Sequence, residues 1–121
     1  MIKYIVAEQA KALITSGNTC ILNIVAAWCA DCTEQSANFA CFAKDFTQQG
    51  VFVYELNVQD EKNVFLSPLH KQLTERFGGH GFPRTILICE GKIVDADNVE
   101  VISAEQLFTL ADKFKKQLNT D

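Results

Sequence analysis

A nearly unbroken apolar run, CILNIVAA at residues 20–27, leads directly into a segment with helical periodicity. Isoleucine and valine in such a run are typical of a central β-strand that other elements cover on both faces. The motif WCADC follows, and Phe39, Phe42 and Phe46 then recur at helical spacing. A buried strand that runs into an amphipathic helix predicts the start of a βαβ unit, and therefore a sheet with helices packed on it.

The rest of the chain alternates in the same way. VFVYELNV at 51–58 predicts a second buried strand, and Ser67-Pro68 predicts the start of a helix because serine caps a helix and proline fits its first turn. Residues 84–97 predict two strands joined by a turn, and 103–118 a last helix. The order β-α-β-α-β-α-β-β-α predicts an α/β fold, a single mixed sheet of about five strands with helices on both faces.

Length and composition restrict the class of protein. The 121 residues suit a single domain, 1–121, and 48% hydrophobic with 21% charged residues is typical of a globular chain. A formal net charge of −4, with no basic cluster longer than Lys115-Lys116, argues against nucleic acid or an anionic membrane as partner. No apolar run reaches the length of a membrane span, and the first residues lack a signal-peptide pattern, so we expect a cytoplasmic protein.

The chemistry depends on the cysteines. Their odd number, without a signal peptide, argues against a disulfide scaffold: Cys20, Cys29, Cys32, Cys41 and Cys89. The close pair in CADC is a redox pair, half of a metal site, or two buried thiols. Zinc would need two more ligands, and the two histidines, His70 and His80, lie on separate segments without paired spacing, which disfavours a metal. We interpret the other three cysteines as small apolar residues.

The position of the pair favours redox chemistry. Cys29 follows a central strand and opens a helix, where unpaired backbone N–H groups and the helix dipole favour a thiolate, the nucleophilic form. Cys32 comes one helical turn later, within reach of a disulfide. The sequence therefore predicts that Cys29 attacks a substrate disulfide and that Cys32 resolves the mixed disulfide.

With WCADC and the later segment GFPRTILICEG in the expected element order, the chain resembles the thioredoxin family over essentially its whole length. The resemblance implies that Trp28 shields the cysteines, that Pro83 forms a cis bond facing them, and that the backbone of Phe82 pairs with an incoming substrate strand. It implies protein disulfides as substrates and a thioredoxin reductase as reducing partner, without cofactor or metal. We expect Trp28, Phe82 and Pro83 to form an apolar patch around an exposed Cys29.

Several positions depart from the family pattern. Asn23 stands where the family has a buried aspartate, Glu55 where it has a lysine, and Ala30-Asp31 where it has Gly-Pro. The family's glycine near the end of the last strand has no counterpart around Val99-Glu100. An amide cannot accept a proton at useful pH, so Glu55 becomes a candidate base if its strand face lies under the CxxC helix. The alternative is a solvated glutamate near the edge of the sheet.

Two classes of function remain open at this point. One is a thiol-disulfide oxidoreductase, and the other is a redox sensor or binding module whose pair responds to oxidation without turnover. His80, three residues before Pro83, is either a surface-loop residue or part of the substrate rim.

Overall fold

The computed structural model describes residues 1–119, which form seven strands and four helices in the described part of the chain. The strands are β1 Ile2–Tyr4, β2 Cys20–Val25, β3 Phe52–Asn57, β4 Gln59–Glu61, β5 Val64–Phe65, β6 Arg84–Cys89 and β7 Lys92–Val99. The helices are α1 Ala7–Thr15, α2 Ala30–Gln48, α3 Pro68–Arg76 and α4 Ala104–Leu118.

Five strands form one mixed sheet in the order β1-β3-β2-β6-β7. The pairs β1–β3 and β3–β2 are parallel, whereas β2–β6 and β6–β7 are antiparallel. Every residue of the central strand β2 is buried, as its continuous apolar run predicts. The predicted α/β architecture with a mixed five-stranded sheet is therefore confirmed.

Each face of the sheet carries its own helices. One face packs against α1 and α3 through aliphatic and small side chains such as Leu22, Ile24 and Ile86. The other packs against α2 and α4 through a phenylalanine cluster: Phe39, Phe42, Phe46 and Phe114. Within residues 1–119, no helix has both the length and the hydropathy that crossing a bilayer requires.

The small hairpin of β4 and β5 is an element that the sequence did not predict. Its residues, 59–65, are mostly polar and too short for a periodic pattern. A backbone hydrogen bond fastens it to the loop before α2, from the Ala27 amide to the Gln59 carbonyl at 2.8 Å. Just before the hairpin, the Val58 amide donates to the carbonyl of Val25 at the end of β2, at 3.0 Å. The hairpin therefore forms one wall beside the CxxC motif.

Candidate active site

Cys29 is the N-cap of α2, so its side chain faces the amide groups that open the helix. Its Sγ accepts a hydrogen bond from the Cys32 backbone N–H at 3.2 Å and lies 3.6 Å from the Phe82 carbonyl oxygen, to which the thiol donates. The expectation of an exposed Cys29 is wrong, because the residue is only 5% exposed. Its sulfur turns inward between the helix start and the Phe82 carbonyl, which limits access to one open side.

Cys32 lies one turn further along α2 and is also buried. Burial is the main cause that raises the pKa of the Cys32 thiol, and its hydrogen bond with the Cys29 thiol and the charge of Glu55 act in the same direction. A thiol in this environment is not a ready nucleophile. It requires a proton acceptor before it can attack another sulfur.

Trp28, Phe82 and Pro83 surround the pair, and the Phe82–Pro83 peptide bond is cis. Trp28 meets Phe82 edge to face, with ring centroids 6.2 Å apart, and its indole N–H donates to Gln59 Oε1 at 2.9 Å. The expected apolar patch is smaller than predicted, since Phe82 and Pro83 are buried and only Trp28 is appreciably exposed, at 38%. The β4–β5 hairpin borders this end of the site, Gln59 through the Trp28 indole and Phe65 through the His80 ring.

A buried polar cluster lies on the face of the sheet that α2 covers. Asn23, fully buried on β2, donates through Nδ2 to Gln35 Oε1 at 2.8 Å and to Glu55 Oε1 at 3.3 Å. The Thr85 hydroxyl donates to Asn23 Oδ1 at 2.9 Å, and Gln35 Nε2 donates to the Val101 carbonyl at 2.9 Å. The register of the sheet produces the cluster, because Asn23 pairs with Glu55 on one side and with Thr85 on the other.

Glu55 is half-buried in this cluster rather than solvated at the edge of the sheet, since β3 lies between β1 and β2. Burial raises the pKa of Glu55, and the hydrogen bond from Asn23 offsets part of that rise. The strand face that carries Glu55 is the one under α2, and its charge acts on Cys32. The geometry therefore satisfies the condition on which its predicted role as base depends, and the role itself stays a prediction.

An open pocket of about 370 Å³ gives access to the nucleophile. It is lined by the CxxC segment and by two loops: Trp28, Cys29, Ala30, Asp31, His80, Gly81, Phe82 and Glu100. The exposed His80 ring lies between Phe65 and Phe82, with centroids 5.9 and 5.8 Å away. Of the two interpretations of His80, the structure supports the position on the rim.

Arg84 holds the loop that carries His80. Its guanidinium is buried, not solvated, and donates to the carbonyls of Ala96 at 2.6 Å, His80 at 3.3 Å and Gly79 at 3.4 Å. Gly78 permits this approach, because a Cβ there would lie 2.7 Å from Arg84 Nη1. The buried Arg84 side chain thus fixes the loop next to the pair.

The remaining cysteines do not join the site. All five thiols are free, and burial, with a smaller effect of Cys89, raises the pKa of Cys20 to about 12. Cys41 is exposed in a groove between α2 and α4, beside Phe108. Among residues 1–119 there is no group of three or more His, Cys, Asp or Glu side chains arranged to hold a metal ion.

Three residues of the site were not singled out from the sequence as members of it. Gln35 follows Cys32 by three positions, so helical spacing alone could have placed it on the same face of α2. Gln59 enters the site through a hairpin, and no sequence pattern indicated it. Glu100 enters through a turn near the place where the family's glycine has no counterpart, but nothing in the sequence assigned it a role in the site.

Comparison with known proteins identifies the family. Residues 7–88, more than half of the chain, match the model of the AhpC/TSA family. No curated protein matches in sequence. Among solved structures, a Fasciola hepatica thioredoxin is similar with a TM-score of 0.66 and 16% identity, over 93% of this chain and 98% of that one.

Two further solved structures have the same fold. Mitochondrial thioredoxin 3 of Saccharomyces cerevisiae gives a TM-score of 0.68 at 12% identity, over 95% of this chain and 94% of that one. A chain from a complex of ferredoxin:thioredoxin reductase with thioredoxin f2 gives 0.64 at 14% identity, over 94% of each chain. Family and fold together support redox thiol chemistry in general terms. The chain belongs to the AhpC/TSA family, is thioredoxin-like, and has the thioredoxin fold.

Proposed function

We propose that this protein is a thiol-disulfide oxidoreductase that reduces protein disulfides through Cys29 and Cys32. One observation carries the proposal: Cys29 Sγ caps α2 and accepts the Cys32 N–H at 3.2 Å, with the Cys32 thiol buried beside it. A thiolate in that position is stabilised by a backbone donor and the helix dipole, while the second thiol is kept protonated until it is needed.

The first step is an exchange at sulfur. The Cys29 thiolate attacks one sulfur of the substrate disulfide, and the substrate S–S bond breaks as a new S–S bond forms to Cys29. The departing substrate sulfur leaves as a thiolate and takes a proton from solvent. When Cys29 is a thiolate it no longer donates to the Phe82 carbonyl, so that oxygen is free to accept an N–H from an extended substrate strand.

The second step requires Cys32 to lose its proton. Glu55 is the proposed acceptor, with Asn23 orienting its carboxylate through the 3.3 Å hydrogen bond. The Cys32 thiolate then attacks Cys29 Sγ, and the second substrate sulfur leaves as a thiolate that takes up a proton. The pair gives up two electrons and becomes a disulfide, and the substrate gains two thiols.

A reductant must then restore the dithiol. Either a small dithiol or a thioredoxin reductase with NADPH supplies the two electrons. The solved complex of thioredoxin f2 with a different reductase, ferredoxin:thioredoxin reductase, supports a reductase as partner in general terms. The location proposed for this reaction is the cytoplasm, a reducing compartment in which thiols are kept reduced.

A redox sensor is the second candidate. The observation in its favour is the burial of both sulfurs, with Cys29 5% and Cys32 7% exposed, which would slow access for a large substrate. A sensor needs the pair to oxidise and to be reduced again. It does not need the pair to turn over a protein disulfide.

Reduction of insulin disulfides separates the two candidates, first with dithiothreitol as reductant and then with a thioredoxin reductase and NADPH. We expect catalytic turnover in at least one system, its loss in Cys29→Ser, and its retention in Cys41→Ser, which removes an exposed thiol outside the site. A pair that oxidises and is reduced again without turnover in either system would contradict the oxidoreductase and support the sensor.

A further inference from the structure

The charged side chains that line the pocket leading to Cys29 are all negative. Asp31, between the two cysteines, and Glu100, after β7, are the residues of its lining that carry a formal charge, and both are acidic. His80 is the other titratable side chain in the lining besides the Cys29 thiol. Lys62 lies outside this lining, with its ammonium 5.6 Å from the centroid of the Trp28 ring.

Glu100 has a backbone conformation that a residue with a side chain rarely adopts. Its φ of +59° lies in the left-handed region, which favours glycine over a residue with a Cβ. The Glu100 N–H donates to the Pro83 carbonyl at 2.8 Å, so this turn is fixed against the residue that faces the pair. The chain therefore keeps a glutamate where glycine would fit with less strain, and that strain lies at the wall of the reactive pocket.

Both carboxylates are free to meet a ligand. Within residues 1–119, neither Asp31 nor Glu100 has a side-chain hydrogen bond or an ion pair to another residue. Glu100 is exposed and Asp31 half-buried, and both line the pocket without an ion pair to a cation among residues 1–119. A substrate with a positive side chain beside its disulfide would supply the missing charge.

We propose that Glu100, together with Asp31, makes the site selective for disulfides flanked by lysine or arginine and disfavours acidic ones. The inference rests on the proposed oxidoreductase function and adds the substrate class. A guanidinium or ammonium group within a residue or two of the substrate cysteine reaches the pocket mouth as the substrate sulfur reaches Cys29. Arginine suits the carboxylates best because its planar group binds carboxylate oxygens in pairs.

The test uses two disulfide peptides that are identical except for two flanking residues, arginine in one and glutamate in the other. The rate constant of mixed-disulfide formation is measured at low salt in the Cys32→Ser protein, which retains the adduct. We expect the basic peptide to react faster. In that background, Glu100→Gln lowers the basic-to-acidic rate ratio by about two- to fivefold, the size of an exposed charge pair, and Glu100→Lys lowers it further.

Glu75→Gln, the same change on the exposed surface of α3, is the matched control and keeps the ratio of the unaltered chain. High salt should reduce the ratio in the protein that keeps Glu100. Equal rates for the two peptides, or a ratio that Glu100→Gln leaves unchanged, would overturn this inference alone. Failure of both peptides to form any adduct with Cys29 would overturn the proposed exchange reaction and this inference with it.

Discussion

The two ends of helix α2 pack against different kinds of side chain, polar at the start and aromatic further along, although both ends cover the same face of the sheet. Near its start, Gln35 contacts the buried cluster of Asn23, Glu55 and Thr85. Further along, three phenylalanines follow one another with ring centroids 5.0 Å apart, and Phe42 and Phe46 each meet Phe114 of α4 at 6.4 Å. The change from polar to aromatic contacts occurs between Gln35 and Phe39, about one helical turn.

The difference indicates that the aromatic end of α2 contributes stability, whereas the polar end serves the reaction of the cysteines. Buried aromatic rings contribute large apolar areas and favourable ring–ring contacts, so the distal end of α2 fastens the helix to the sheet. A buried polar cluster contributes little net stability even when its hydrogen bonds are satisfied, as they are for Asn23. Its position beside Cys32, the thiol that must lose a proton, gives a functional reason for its presence.

The largest expected effect comes from the aromatic end. Phe46 is fully buried, so Phe46→Ala should lower the free energy of unfolding by about 3–5 kcal/mol, since it removes ring contacts and leaves a cavity. Urea denaturation measures this loss. Phe108→Ala is the control, because its ring is 79% exposed on α4 and its loss should change stability by about 0.5 kcal/mol or less. Equal effects of the two variants would contradict the claim that the buried phenylalanine rings fasten α2 to the sheet.

At the polar end of α2 we expect a smaller effect, on a reaction rate. Glu55→Gln keeps the shape of the side chain but removes the proton acceptor, so resolution of the mixed disulfide should slow about tenfold near neutral pH. Rapid chemical quenching of the mixed disulfide measures the rate. Asn23→Asp in the Glu55→Gln background should restore part of it, and Glu75→Gln should leave it unaltered. If Glu55→Gln resolves at the original rate, Glu55 is not the base.

The smallest expected effect is on how the free energy of unfolding depends on pH. Burial raises the pKa of Glu55, so the folded state holds its proton more tightly than the unfolded state does. The stabilising contribution of that proton is complete below the unfolded-state pKa and is lost as pH rises through the folded-state pKa. Glu55→Gln removes this pH dependence. The free energy of unfolding of the variant, relative to that of the original chain, should therefore be higher at about pH 7 than at about pH 4.

Urea midpoints measured across that range for both proteins provide the check. The midpoint of Glu55→Gln minus that of the original chain should rise as the pH passes from the unfolded-state to the folded-state pKa of Glu55, and should level off above it. Parallel curves would show that Glu55 titrates in the folded protein as it does in the unfolded chain, contrary to its burial.

Much of the fold follows from local sequence signals. The apolar run at β2 and the phenylalanine spacing of α2 predicted both elements and placed Cys29 at their junction. Ser67 caps α3 with Pro68 in its first turn, as expected, because this signal depends only on neighbouring residues. Helix α4 begins at Ala104, close to the predicted start at 103, behind a capping box of Ser103 and Gln106.

The features that the sequence did not predict depend on distant contacts. The polar cluster forms only when the register places Asn23 between Glu55 and Thr85, and single-strand patterns do not contain that register. The short β4–β5 hairpin beside the pair has no periodicity from which a sequence pattern could predict it. The left-handed backbone of Glu100 contradicts the local preference of a residue with a Cβ, so the sequence around Val99-Glu100 did not predict this turn.

Trapping of the first intermediate tests the central claim most directly. Cys32→Ser, mixed with a protein disulfide substrate, should accumulate one covalent adduct that mass spectrometry of the digested protein assigns to Cys29. Cys29→Ser should accumulate none, and Cys41→Ser combined with Cys32→Ser should accumulate as much as Cys32→Ser alone. An adduct on Cys41, or one that persists in Cys29→Ser, would contradict the assignment of Cys29 at the start of α2 as the attacking thiol.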